Sequence, residues 1–335
     1  MQQHFNFSLQ NYNSFGLDVS CDRICFMEDE KDIAELLPIQ EPVFILGGGS
    51  NVLFAKDISR VILKPTMSDM LVIEETDDWI IVQVGGGMVW HEFVEWCVNN
   101  DYGGAENLSL IPGSVGASPI QNIGAYGIEL EQIFVGLHAY QLSSGKKEYF
   151  TKDVCAFGYR DSIFKNKLKD KYLVTDVQFK LTKRNHKLEY KYKPLEELLA
   201  IQTAQPGIKD VSDAVISIRK SKLPDPKDIG NAGSFFKNPI IDRTVFEKLK
   251  ESFTDIPSYP TDDNKVKVPA GWLIDQLGWK GHTIGDVGVH KNHALVLVNY
   301  GKGRGVDIVS LAKEITKSVS DKFQIELERE VQVVL

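Results

Sequence analysis

Three stretches of this chain carry residues whose types and spacing suit chemistry. Ser234 lies in Gly230-Asn231-Ala232-Gly233-Ser234-Phe235-Phe236-Lys237-Asn238-Pro239, between a glycine and two phenylalanines. A hydroxyl there is a candidate proton donor in a mostly apolar setting, although a lone serine more often completes a turn. No G-x-S-x-G elbow surrounds it, so a hydrolase nucleophile is not indicated. Gly158-Tyr159-Arg160-Asp161-Ser162 offers Arg160, a planar cation matched to a carboxylate. Taken alone, such an arginine is more often solvated or salt-bridged. Glu328, Arg329 and Glu330 fall in a segment, 324–335, whose pattern predicts a final strand. Alternation would put Glu328 and Glu330 on one face, and a solvated strand face accounts for them equally well.

A second kind of signal comes from backbone rather than side chains. Gly47-Gly48-Gly49-Ser50-Asn51 follows the apolar run 43–46, and Gly85-Gly86-Gly87 follows 79–84. The longest such stretch runs from Pro112-Gly113-Ser114 through Gly116-Ala117 and Gln121-Asn122 to Gly124-Ala125-Tyr126-Gly127. Glycine lets a backbone turn with positive φ and approach a ligand closely, so its N–H groups can cradle a diphosphate. One such turn is only a turn; three suggest a large phosphate-bearing cofactor. Metal is a weaker reading. Cys21 and Cys25 have near-ligand spacing without a second Cys/His pair nearby, and His290 and His293 lack a third ligand at matching spacing.

The elements that must position these residues are mixed. Short apolar strands are predicted over 43–46, 61–63, 71–73, 79–84 and 172–179, with a helix over 89–99 whose apolar stripe is Val89, Trp90, Phe93, Val94, Trp96 and Cys97. Strict strand–helix alternation is missing, and so is a G-x-G-x-x-G between a first strand and a first helix. The chain turns polar and basic between Thr182 and Asp210, where a domain boundary is expected. Beyond it come a helix over 211–220, stopped by Leu223-Pro224-Asp225-Pro226, and a late helix over 308–323.

With 335 residues the chain has room for two or three cores. Its net charge of −8 argues against a general nucleic-acid binder, so an anionic ligand must be held by local donors. No signal-peptide pattern opens the sequence, and no apolar run approaches the ~20 residues that span a bilayer. Four cysteines suit a reducing compartment, and the expected location is the cytoplasm.

Taken together, these motifs resemble the UDP-N-acetylenolpyruvoylglucosamine reductases, flavoenzymes of bacterial cell-wall precursor synthesis. The resemblance runs from Asn13-Ser14-Phe15-Gly16-Leu17 to Leu327-Glu328-Arg329-Glu330-Val331, with Lys222–Pro226 and Ala270-Gly271-Trp272-Leu273-Ile274-Asp275 between. It implies an α+β protein. Residues 1–66 and 67–205 would be two subdomains of an FAD-binding fold of the vanillyl-alcohol-oxidase type. Residues 206–335 would form a substrate-binding domain whose last strand returns towards the active site. FAD would be held non-covalently by Gly47, Gly48, Gly49, Ser50 and Asn51, and by Pro112, Gly113, Ser114, Gly116, Ala117, Gln121, Asn122, Gly124, Ala125 and Tyr126. NADPH would be the hydride donor and the enolpyruvyl ether of UDP-N-acetylglucosamine the acceptor.

Family catalytic positions match Arg160, Ser234 and Glu330, and substrate-binding positions match Tyr159, Lys222, Asn238, Tyr259 and Lys280. The longer family form carries a mobile tyrosine loop, represented here by Tyr192 or its neighbour Tyr190. A glutamine of other members corresponds to His293, a departure from the pattern. The residue types suit the reaction. Hydride arrival at C3 of the enolpyruvyl ether leaves negative charge over C2 and the carboxylate, which a fixed cation stabilises. A positioned hydroxyl can then protonate C2 on one face. A monomer is expected, with neither metal nor membrane involved. The rival reading is another FAD-linked oxidase or dehydrogenase of the same superfamily, but neither glycine loop contains a histidine for covalent flavin attachment.

Overall fold

In a computed structural model the chain is described over residues 1–261 and 264–335. It forms two compact units. The first comprises Met1–Phe7, Cys21–Gly49 and Ile58–Ser221; the second comprises Ser8–Ser20, Ser50–Asp57 and Lys222–Leu335.

Two sheets organise the first unit. One has the strand order Gln2–Ser8, Ser20–Met27, Ile58–Pro65, Val43–Ile45, and its last three strands run parallel. The helix Glu30–Leu36, capped by Asp29 accepting from the N–H groups of Lys31 and Asp32, adds Ile33 to the same core as Cys25, Met27, Val61 and Leu63. The second sheet is antiparallel, in the order Lys147–Thr151, Phe134–Gln141, Tyr172–Thr182, Trp79–Gly85, Met70–Glu75. Against it packs the helix Trp90–Asn99. Trp90, Phe93, Val94 and Cys97 recur at i, i+3, i+4 and i+7 and are all buried, whereas Val89, expected in the same stripe, precedes the helix as its exposed N-cap and Trp96 is only partly buried. Phe93 stacks on Phe179 of the central strand at 4.8 Å, and Trp90 meets it edge-on at 5.7 Å. The Trp90 indole N–H donates to Leu108 O at 2.9 Å, so the large ring is buried without an orphaned donor.

The polar region expected to be a boundary contains a further helix, Lys193–Gln202, with proline in its first turn. Its Leu195 and Leu199 pack on Val211, Ala214, Val215 and Ile218 of the helix Ile208–Lys222. Tyr126 and Tyr190 lean on this pair. The first unit therefore extends to Ser221.

The second unit holds a four-stranded sheet in the order Gly230–Ser234, Val296–Asn299, Val287–Val289, Thr283–Ile284. It also holds a three-stranded sheet of Ile240–Asp242, Lys265–Lys267 and Tyr259–Pro260. The helix Gly305–Phe323 buries Ile308, Leu311, Ala312, Ile315, Val319 and Phe323.

The chain's end differs from expectation. Gln324 turns left-handed at φ 56° to close the helix, and the strand is only Gln332–Val334, parallel to Val52–Phe54. Glu328 and Glu330 precede that strand in a segment that pairs through the isolated bridge Phe236↔Arg329 and backbone hydrogen bonds to Phe235 and Lys237. They do not form an alternating face: Glu328 is exposed and ion-paired with Lys237 at 2.5 Å, whereas Glu330 is half-buried.

Candidate active site

The glycine turns of the first unit are built against one another. Val43–Ile45 delivers Gly47-Gly48-Gly49 at its carboxyl end, and a Cβ on Gly48 would lie 2.7 Å from Gly113 Cα. A Cβ on Gly47 would meet Ser114 Oγ and Ala117 Cβ at 2.9 Å. The third turn joins them: Gly116 N–H donates to Gly86 O at 2.8 Å, and Gly86 N–H to Thr175 O at 2.7 Å. Gly49 and Gly113 have φ of 66° and 126°, a region that side chains rarely adopt. Lys64, half-buried near the carboxyl end of Ile58–Pro65, donates from Nζ to Gly47 O at 2.9 Å.

The remainder of the long loop is pinned by its own polar groups. Asn122, buried and left-handed at φ 45°, donates from Nδ2 to Glu129 Oε2 and Gly158 O and accepts from Glu131 N–H. Its side chain is thus occupied in holding the loop. Pro112 is exposed and Gln121 half-buried. Gly124-Ala125 pairs with Ile128-Glu129 in a two-stranded ribbon, and Tyr126 O accepts from Asn107 Nδ2 at 2.8 Å.

Arg160 is brought to this loop. Gly158 and Asp161 bridge to form a tight turn, and Arg160 inside it is left-handed at φ 53°, a strained conformation held by its surroundings. Its Nη2 donates to Gly124 O at 2.5 Å, its Nη1 stands 4.0 Å from Glu129 Oε1, and its guanidinium lies 5.5 Å from the centroid of the half-buried Tyr159 ring. Tyr192, partly exposed, meets Tyr126 edge-on at 5.3 Å.

A residue that motif reasoning passed over lies beside them. Arg219, near the end of the helix Ile208–Lys222, lies close to the Tyr126 side chain, and its buried Nε has no partner among the described residues. Burial holds this guanidinium below its usual range, Tyr126 opposes that, and the like charge of Arg160 adds to it. Burial likewise raises the Tyr126 phenol. The unpartnered Nε is a buried donor, a group that is seldom left without an acceptor. The only sequence signal was an arginine among lysines in Arg219-Lys220-Ser221-Lys222.

In the second unit the structure joins the other two catalytic candidates through the backbone. Ser234 ends the strand Gly230–Ser234 opposite Val296, after Gly233 at φ 69°. Phe235 is fully buried, its N–H donates to Leu295 O, and its O accepts from Glu330 N–H at 2.9 Å. Among the described residues no hydrogen bond engages the half-buried Ser234 hydroxyl. Asn51 belongs to this cluster: its Nδ2 donates to Glu330 O at 3.2 Å, and Gln332 N–H donates to Asn51 O. Ser50 lies in the same unit.

The expected substrate residues are more dispersed. Asn238 Oδ1 accepts from Ala270 N–H at 3.0 Å, Lys280 is ion-paired with Asp275, and Tyr259 is 55% exposed on its short strand. Burial, then Lys222, then His290 depress the His293 imidazole, so the charge of Lys222 is felt at His293. Among the described residues no group of three or more His, Cys, Asp or Glu side chains is placed to hold a metal, and no helix is long and apolar enough to cross a membrane.

Comparison with known proteins settles the relationship. Over the whole length of both chains this sequence is 47% identical to the UDP-N-acetylenolpyruvoylglucosamine reductase of Flavobacterium johnsoniae. The chain belongs to the UDP-N-acetylenolpyruvoylglucosamine reductase family. The Pseudomonas aeruginosa enzyme of that name is 42% identical over 98% of each chain, and the Bacteroides fragilis one is 43% identical over 98% of this chain and 99% of its own. Residues 225–334 match the C-terminal domain model of the family, and residues 22–146 match an FAD-binding domain. The crystal structure of UDP-N-acetylenolpyruvylglucosamine reductase from Thermus caldophilus superposes with a TM-score of 0.68 at 22% identity, covering 100% of this chain and 98% of that one, which shows a shared fold. The α+β architecture with an FAD-binding domain holds.

FAD fits the first unit. The abutting glycine turns leave backbone donors for a diphosphate. Lys64 and Arg219 are cations with no carboxylate within 4 Å among the described residues, and Arg219 Nε still needs an acceptor.

Proposed function

We propose that this protein is an FAD-dependent reductase that uses NADPH to convert the enolpyruvyl ether of UDP-N-acetylglucosamine to UDP-N-acetylmuramate, for peptidoglycan precursors. The observation that carries the reading is the full-length family match, with Arg160 strained against Gly124 O and Ser234 one residue from the Glu330 contact. FAD, when bound, supplies hydride transfer from NADPH to C3 of the enolpyruvyl ether. Backbone donors of the Gly47 and Gly113 turns would hold its diphosphate.

Arg160 would stabilise the charge that develops over C2 and the substrate carboxylate. Its planar fork, already fixed by Gly124 O, needs little reorganisation. Ser234, with no competing hydrogen bond on its hydroxyl among the described residues, would give its proton to C2. Glu330 would hydrogen-bond the enolised carboxylate in its protonated form, its backbone being fixed on both sides by Phe235 O and Asn51 Nδ2. Lys222, Asn238, Tyr259, Lys280 and Tyr159 would bind the UDP-sugar. Tyr192, the partly exposed member of the pair, would be the loop tyrosine, since Tyr190 is packed on the helix pair. The working form we propose is a cytoplasmic monomer, where charged nucleotides are available; light scattering tests the oligomeric state.

Stopped-flow spectroscopy tests the activity. NADPH should bleach the flavin anaerobically, and colour should return only when the enolpyruvyl substrate is added. Return of colour with oxygen alone, at a catalytic rate, would instead make the protein an oxidase.

A further inference from the structure

Lys64 is half-buried where no function has been given to it. The parallel strands Ile58–Pro65 and Val43–Ile45 end side by side, and Leu46 N–H donates to Leu63 O at 2.9 Å, which sets Lys64 beside Gly47. Its ammonium reaches back to Gly47 O at 2.9 Å, at the turn where Gly48 abuts Gly113. That bond uses one of three donors. Among the described residues the ammonium has no other hydrogen-bond partner and no carboxylate within 4 Å. Partial burial of a lysine without a counter-charge is costly, and burial pushes this ammonium's pKa down. An anion arriving at the turn would reverse that cost. Ligands of parallel sheets also bind at the carboxyl ends of the strands, where Lys64 stands. In a chain of net charge −8 the dianionic diphosphate has little help from the overall field, so a local cation matters.

We infer that Lys64 is the point charge that binds the FAD diphosphate from beneath the Gly47 turn, clamping the turn through Gly47 O while its remaining donors face the phosphates. The inference rests on the reading that the abutting glycine turns hold FAD.

The test uses the full-length protein and a readout independent of turnover. FAD and riboflavin, which lacks the diphosphate, are each titrated by flavin fluorescence at several KCl concentrations, with wild type, Lys64→Gln and Lys64→Arg. Lys64→Gln keeps an N–H donor without the charge. It should weaken FAD about 10- to 100-fold and flatten the salt dependence of FAD binding, while riboflavin changes by less than about threefold. Lys64→Arg keeps the charge and should stay within about tenfold of wild type for FAD with its salt dependence retained, and it decides the matter should Lys64→Gln not fold. Unchanged FAD binding in Lys64→Gln would overturn the inference. So would equal weakening of FAD and riboflavin, or loss of salt dependence in a folded Lys64→Arg. Failure of the wild type itself to bind FAD would instead sink the underlying reading of the glycine turns.

Discussion

Gly48→Ala offers a sharp test of how the cofactor loop is built. The new Cβ would lie 2.7 Å from Gly113 Cα and 3.0 Å from Gly113 C, where ordinary contact begins near 3.4 Å. Both partners are backbone, so no side chain can swing aside, and the two turns must part by about 0.7 Å or more. Overpacking of this kind costs about 1–3 kcal/mol. If that cost falls on the geometry that binds FAD, the dissociation constant rises about 5- to 150-fold. Fluorescence titration of the apo-protein measures it, together with melting curves with and without FAD. The melting increment conferred by saturating FAD should shrink, since each tenfold loss of affinity removes about 1.4 kcal/mol of ligand stabilisation. Gly271→Ala is the control: its Cβ would sit at an ordinary 3.5 Å from Leu295 Cγ within the helix Ala270–Gln276. That variant should bind FAD normally and gain about 0.4–1 kcal/mol of stability. Wild-type affinity and melting temperature in Gly48→Ala would refute the packing account.

Arg160→Lys keeps the charge but not the fork that spans Gly124 O, so turnover should fall about 10²- to 10³-fold with FAD affinity unchanged; near-normal turnover would make Arg160 structural. Ser234→Ala should leave flavin bleaching by NADPH intact and slow reoxidation by the enolpyruvyl substrate about 10²- to 10⁴-fold, with equal damage to both steps counting against a proton donor. Glu106 is 3% exposed, and burial raises its carboxyl above the usual 4.5 although Gly104 N–H donates to it. The folded state therefore holds its proton more tightly than the unfolded state does, and wild-type stability falls as pH rises through the interval between the two pKa values. Glu106→Gln removes that loss, so denaturant melts should show the variant gaining on wild type from pH 4.5 upward; a gap independent of pH would be inconsistent with a buried titrating carboxyl.

Strands whose identity is local were legible. The runs around Val43, Val61, Trp79 and Tyr172 are apolar enough to be recognised alone, and the Trp90–Cys97 stripe has helical spacing. Phe134–Gln141 was not, because Gly136 and His138 interrupt its pattern and its conformation depends on partners on both sides. Lys193–Gln202 was hidden by a basic flank, although Leu195 and Leu199 stand one helical turn apart. The final strand was over-extended because alternation continues through Ile325 and Leu327 where pairing does not. At the site, Arg160 and Ser234 stood in unusual company, but Arg219 did not. Its meaning comes from burial beside Tyr126 and Arg160, which spacing in the sequence cannot show.

The glycines carry a further lesson about cause. Read from sequence, the turns at 47–49 and 113–116 are glycine so that a diphosphate can come close. The structure gives a second reason of its own. A Cβ on Gly116 would stand 3.0 Å from Gly86 Cα and Gly86 O, and one on Gly48 would strike Gly113, before any ligand is considered. Each glycine turn is glycine partly because another occupies the neighbouring space, which is why three occur in one chain. The two causes separate in the apo-protein. A side chain that only obstructs the diphosphate leaves the apo melting temperature untouched, whereas one that pries the turns apart lowers it before FAD is added. Gly48→Ala and Gly116→Ala belong to the second kind. Their damage should therefore appear first in the stability of the empty protein and only then in its colour.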